Sequence, residues 1–148
     1  MNYQDPQMCR PEDRAIEKSV AEKLAKHTKC TYVRAGLSSV FDFALVREGK
    51  PLAIVEAKRR QMVFGKYPTI HLSVKKIDGC LANANTTRTT FIFAVQCDDG
   101  LYACTITDQM LKELPRKQGG RFDRAHLNIS TDIEELLEIP IESFKRIP

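Results

Sequence analysis

Three residues in the first half of the chain have types and spacing that could do chemistry: Asp42, Glu56 and Lys58. They lie in two short runs of β-forming residues, Val40–Val46 and Leu52–Val55, separated by the turn-like Arg47-Glu48-Gly49-Lys50-Pro51. These runs read as a β-hairpin. Alternate side chains of a strand share a face, so Asp42, Ala44 and Val46 fall on one side and Phe41, Phe43 and Leu45 on the other. In the following strand Leu52, Ile54, Glu56 and Lys58 share a side. A hairpin centred near Gly49 pairs residues whose numbers sum to about 98, which sets Asp42 opposite Glu56 with Lys58 one step beyond. Two facing carboxylates repel and destabilise a sheet unless a cation sits between them. An oxygen-only ligand set suits Mg2+ or Mn2+ better than zinc. Such an ion polarises a phosphoryl oxygen and acidifies a water, and a neighbouring ammonium orients that water or offsets developing charge. The set therefore suffices for phosphodiester hydrolysis. The competing reading is a charged strand end at a solvent edge, the commoner meaning of an isolated acid pair. Here both carboxylates interrupt strongly apolar strands.

The elements that must position these groups follow along the chain. Pro11, Glu12 and Asp13 suit a first helical turn, and Ile16, Val20 and Leu24 continue an amphipathic helix to about His27. Thr31-Tyr32-Val33 is a short strand. Arg59–Thr69 reads as a basic loop. Leu72, Lys76, Ile77 and Leu81 keep a helical beat to about Ala84, weakened by Gly79. Phe91–Cys97 and Leu101–Ile106 are strands joined at Asp98-Asp99-Gly100, and Thr107 or Asp108 caps a short helix ending before Pro115. Residues 116–126 read as a basic, glycine-containing loop. After Ser130 a short acidic helix is expected, then Ile139-Pro140-Ile141. The sum is an α/β fold, a mixed sheet covered by helices.

Length and composition suit one domain, 1–148, with a core of about 11–114 and a basic loop plus acidic C-terminal extension over 115–148. The net charge of +4 is unevenly spread. Residues 132–142 hold five acids and no base, whereas Lys58–Lys76 holds six Lys or Arg and no acid. Clustered cations gain from releasing the counterions of a polyanion, so a nucleic acid is the natural partner; the alternative is a solvated basic surface. The five cysteines are scattered, without CxxC or zinc spacing, and read as reduced thiols of a cytoplasmic protein. No signal-like segment or run of about 20 apolar residues is present. Ser-His-Asp partners, a P-loop and a dinucleotide-binding glycine pattern are also missing.

Phe41-Asp42, thirteen intervening residues and then Glu56-Ala57-Lys58 resemble the PD-(D/E)xK nuclease signature. The fragment from Phe41 to Arg59 is similar to the nuclease core of type I restriction motor subunits. The first helix, with Glu17, and Arg34–Gly36 before the hairpin resemble archaeal Holliday junction resolvases. The resemblance spans residues 11–106, with its specific part at 40–60. It implies a restriction-endonuclease-like core. It implies Asp42 and Glu56 as metal ligands with the backbone carbonyl of Ala57 as a third, Lys58 positioning the attacking water, and Glu17 completing the site through a water. One or two Mg2+ (or Mn2+) ions would be the cofactor. Phe41 replaces the signature proline, and the restriction subunits' glutamine-tyrosine helix motif is missing.

Arg34, Arg59, Arg60, Lys66, Lys75 and Lys76 are candidate nucleic-acid contacts, with Lys75 or Lys76 able to face the site from the helix, and Tyr67 a candidate stacking residue. Arg116, Lys117, Arg121 and Arg124 read as a solvated loop, with a second phosphate contact the alternative; His27, His71 and His126 have no ligand-spaced partners, and His71 alone stays open because it lies near the basic loop. The expectation is a metal-dependent nuclease acting on DNA. RNA, a second copy of the chain or a partner protein remain open as further partners, and no membrane is involved. The compact size suggests a phage or mobile-element enzyme working in a host cytoplasm. The rivals are a catalytically silent nuclease fold that binds nucleic acid or a protein, and a small-molecule hydrolase, which fits the basic stretch poorly.

Overall fold

The computed structural model describes residues 11–36, 39–120 and 133–148. In chain order these form α1 (Pro11–Thr28), β1 (Thr31–Arg34), β2 (Phe43–Arg47), β3 (Lys50–Arg59), β4 (Thr69–Ser73), α2 (Val74–Thr87), β5 (Thr90–Cys97), β6 (Gly100–Ile106), α3 (Asp108–Glu113), β7 (Arg116–Gly120), β8 (Ile133–Pro140), a 3-10 turn (Ile141–Ser143) and β9 (Lys145–Ile147). A six-stranded mixed sheet runs β1-β2-β3-β5-β6-β9, and a three-stranded sheet runs β4-β8-β7. Only β3 and β5 pair in parallel among these strands; the other pairs are antiparallel.

The hairpin β2–β3 sets the parity of the site. Its turn residues Glu48 and Gly49 both have positive φ, 52° and 75°, as a two-residue hairpin turn twisted to match its strands requires. Arg47 pairs with Lys50 and Val46 with Pro51, but beyond a bulge Leu45 faces Ala53, Ala44 faces Ile54 and Phe43 faces Val55. The extra residue is Leu52. The tight turn alone would leave Asp42 opposite Val55, with its side chain on the wrong face relative to Glu56. The inserted residue restores the register that the sequence pattern anticipates.

The two faces of the large sheet carry different cores. Val20, Ala21, Leu24 and Ala25 of α1 pack on Phe43, Leu45, Ala53 and Val55. On the opposite face Ile77, Cys80, Leu81 and Ala84 of α2 join Ile54, Phe91, Phe93 and Val95. Ile70 and Leu72 of β4 and Leu137 and Ile139 of β8 complete this second cluster, so the small sheet shares a core with α2. The N-terminus of α2 is fixed by Ser73, whose side chain accepts from the Lys76 N–H (3.2 Å) and donates to Glu134 (3.0 Å). Its C-terminus stops at Arg88, in the left-handed region.

Three expectations are corrected. The acidic helix expected after Ser130 is not formed over the described residues 133–148: Ile133–Pro140 is a strand, because Leu137 and Ile139 are buried at strand spacing against β4. The basic segment begins with strand β7 at 116–120, where Gly119 lets the backbone approach Leu136; the rest of that expected loop, with Arg121, Arg124 and His126, lies outside the described residues. Leu72 belongs to β4, and the helix runs from Val74 to Thr87. No helix among the described residues is long and apolar enough to cross a membrane.

Candidate active site

Glu56 is the only charged or polar residue fully buried among those described, 2 % exposed at the centre of the sheet. Strand alternation puts Ile54, Glu56 and Lys58 on the face covered by α2. Asp42 stands just before β2, and its N–H still donates to the Val55 carbonyl (2.9 Å), so the pairing runs past the end of the regular strand. Its Oδ2 accepts from the Ala57 N–H at 2.8 Å, which ties the first acid of the pattern to the residue beside the second.

Two ammonium groups flank Glu56. Lys58 Nζ lies 3.3 Å from Oε2, and Lys76 Nζ, arriving from α2, lies 3.6 Å from Oε1. Lys76 also donates to the Val40 carbonyl at 3.0 Å. The second of these distances and its geometry leave Glu56 Oε1 buried with no hydrogen-bond partner. Burial pushes the Glu56 carboxyl above its ordinary value, and the charge of Asp42 pushes it further, against the pull of the two lysines. Burial likewise raises Asp42, opposed by the Ala57 N–H. Glu17 on α1 is raised by burial and then by Asp42, while Arg34 Nε, 3.3 Å from its Oε1, pulls it down. The Cys80 thiol behind the site is pushed up to about 12, chiefly by burial and then by Glu56.

These observations meet the requirements of a divalent cation. Two carboxylates whose ionisation is disfavoured stand close together, and one buried oxygen is unpartnered. A hard cation offsets both costs. Among the described residues no three His, Cys, Asp or Glu side chains gather into one metal-ligating group. Such an ion would therefore be held by the two acids with a backbone carbonyl and water. Mg2+ accepts this arrangement, since it keeps several waters and uses one or two carboxylates.

The remaining expected site residues separate into groups. Lys58, Arg60, Tyr67, Lys75 and Lys76 border one cleft of about 1080 Å³ beside Glu56. Arg60 donates to the His71 carbonyl (3.4 Å), and Lys66 sits over the Tyr67 ring at 5.5 Å. Arg59 is not brought to this cleft. It lies on the opposite face, 3.5 Å from Asp98, in a smaller groove with Ile16 and Lys23. Arg34 is engaged by Glu17. The residue-type pattern left the choice between Lys75 and Lys76 open; the helix phase resolves it, with Lys76 turned to Glu56. Glu138 has no local signal for a place in the cleft, because the pairing of β4 with β8 brings it there; Lys117, expected in a solvated loop or at a phosphate, reaches the cleft through β7, and His71, left open by the sequence, borders it from β4.

A mixed sheet with helices on both faces, carrying acid, acid and lysine on one side of a hairpin and its neighbour, defines the PD-(D/E)xK class of nuclease folds. The sequence profile of the family described as "Phage putative PDDEXK endonuclease" matches residues 6–147, and the chain belongs to that family. In structure the chain is similar to Hjc, a Holliday junction resolvase of the archaeal hyperthermophile Archaeoglobus fulgidus, with a TM-score of 0.60 at 13 % identity over 92 % of each chain. No curated protein matches the chain in sequence.

Proposed function

We propose that the protein is a metal-dependent endonuclease that hydrolyses phosphodiester bonds in DNA, with residues 1–148 acting as one nuclease domain. The observation that carries this reading is the buried, unpartnered Oε1 of Glu56 beside Asp42, between two ammonium groups. Asp42, Glu56 and the Ala57 carbonyl would hold Mg2+ or Mn2+. When bound, the ion supplies polarisation of a phosphoryl oxygen and acidification of a water. The chain's own residues do the rest. The Ala57 N–H fixes the rotamer of Asp42. Lys76 steadies Glu56 from the helix side. Lys58, 39 % exposed and so able to reach past Glu56 into the cleft, orients the attacking water and offsets charge gathering on the phosphate. Glu17 approaches from α1 and completes the acidic environment through water. Arg60, Lys75 and Lys76 place the polyanion. The family and the resolvase-like fold support DNA as the substrate.

The test is cleavage of single-stranded, duplex and branched DNA, and of RNA, with Mg2+, with Mn2+ and with chelator. Wild type should cut only with the ion present. Glu56→Gln and Lys58→Met should each lose at least about 100-fold in rate, the scale for removing one preorganised electrostatic group. Metal-independent cutting, or full activity in either variant, overturns the reading. Salt-sensitive binding without cutting replaces it with a silent nucleic-acid-binding module.

A further inference from the structure

The cleft beside Glu56 is larger and less uniformly basic than a phosphate clamp needs. Its volume, about 1080 Å³, lies just above the ~300–1,000 Å³ typical of pockets that enclose drug-sized ligands, and nucleotides are of that size. One end is continuous with the site, because Lys58 and Lys76 both border the cleft and both contact Glu56. Away from that end the lining changes character: Met62 and Leu136 give apolar surface, and Tyr67 stands 54 % exposed. The far wall belongs to the small sheet β4-β8-β7, which the catalytic groups do not require.

Charge is arranged as well. Five cations line the cleft against two carboxylates, Glu134 and Glu138, both on β8. Glu134 is held by Ser73, and Glu138 lies 3.8 Å from His71. A polyanion is therefore attracted overall but repelled from β8. Lys75 and Lys76 of α2, with Lys58, offer the backbone its most favourable path, and Lys117 of β7 is a single basic point on the far wall. A continuous duplex turns its phosphates outward and keeps its bases stacked inside, so it would set phosphate against the apolar and acidic wall. An unpaired strand does the reverse: its phosphates follow the cations while its bases lie on apolar and aromatic surface.

We propose that this cleft seats unpaired nucleotides flanking the scissile phosphate, so that the enzyme selects DNA with a frayed, flapped or branched strand beside the cut over uninterrupted duplex. The inference rests on the nuclease reading above and names its substrate class. Tyr67, stiffened by Lys66 over its ring, is the stacking surface for a base, and Lys75 and Lys117 carry the neighbouring phosphates.

The experiment separates binding from chemistry. Fluorescence anisotropy in chelator measures the affinity of the full chain for a labelled duplex and for the same duplex bearing a single-stranded flap. Cleavage of both is then followed with Mg2+. The flapped DNA should bind at least tenfold more tightly than the duplex. Tyr67→Ala should shrink that ratio roughly 5- to 150-fold per base no longer stacked, up to abolishing it. Lys117→Gln should lower flap affinity and flatten its salt dependence. Equal affinity for the two DNAs, or a ratio untouched by Tyr67→Ala, overturns the proposal even if Mg2+-dependent cutting is found. A clear flap preference with no cutting upholds the cleft assignment and overturns the nuclease reading instead.

Discussion

Replacing Glu56 by glutamine should make the folded protein more stable at alkaline pH while destroying its proposed activity. Taking a carboxylate out of water costs several kcal/mol even after relaxation. Glu56 is 2 % exposed, one of its oxygens has no hydrogen-bond partner, and Asp42 adds like-charge repulsion. The return comes from Lys58 and Lys76 at 3.3 and 3.6 Å, but their side chains are 39 % and 33 % exposed, so each pair is solvent-screened and contributes only about 0.2–1 kcal/mol. A net cost of roughly 1–3 kcal/mol remains with the ionised form, consistent with a carboxyl pKa above its ordinary 4.5. Glutamine has the shape of the protonated acid and escapes that cost. Because the folded-state pKa is the higher one, the native state binds more protons than the unfolded state between the two values. Stability therefore falls as pH rises through that window. At pH 8 Glu56→Gln should melt about 2–12 °C above wild type, taking ~2–4 °C per kcal/mol for a chain of this size. The gap should close as pH falls toward 4.5, where wild type is itself protonated. Melting curves of both proteins across pH 4.5–8, in chelator, measure it. A variant that melts lower at pH 8, or a gap independent of pH, would show that the two lysines more than repay the burial and would refute the reasoning.

Four further outcomes are expected. Saturating Mg2+ should raise the wild-type melting point, by the equivalent of about 2.7 kcal/mol at a hundredfold excess over Kd, and leave Glu56→Gln unmoved; equal shifts would place the ion elsewhere. Gly119→Ala should cost roughly 1–3 kcal/mol in urea denaturation, because a Cβ there would lie 2.1 Å from Leu136 Cδ1 and 2.8 Å from its Cγ, forcing β7 and β8 apart. Ser73→Ala should cost about 1 kcal/mol by uncapping α2, measured the same way. In pulse labelling with a maleimide at pH 8, read by mass spectrometry, Cys80 and Cys104 should stay unmodified, since burial pushes their thiols up to about 12 and about 11, while half-buried Cys30 reacts first among the described cysteines.

Local patterning made much of this molecule legible. The four-residue recurrence of Ile16, Val20 and Leu24 marks α1, and the alternation around Gly49 places Asp42, Glu56 and Lys58 on one side. The hairpin sum of 98 holds where it matters, although the turn itself obeys 97 and a bulge at Leu52 supplies the difference. A bulge of that kind leaves no clear mark in a single sequence. The small sheet was illegible for a different reason. In Ile133-Glu134-Glu135-Leu136-Leu137-Glu138 the acids favour helix, and the strand preference is imposed by β4, more than sixty residues away. Leu72 mimics a helical position because it lies four residues before Lys76 and five before Ile77, although Ser73 caps the helix between them. The site's acids and Lys58 come from short-range pattern, whereas Lys76 is set by the packing of α2 and the cleft wall by long-range pairing.

The parallel pair β3–β5 has a consequence of its own. Antiparallel neighbours can be joined by a tight turn, but parallel ones oblige the chain to travel back to its starting end before it can pair again. Here that return journey, residues 60–89, carries Arg60, Tyr67, β4 and all of α2. Asp42, Glu56 and Lys58 are fixed before it begins. Insertions or exchanges along the return path would thus alter the lining of the cleft while Asp42, Glu56 and Lys58 keep their places, a division of labour that follows from strand direction alone.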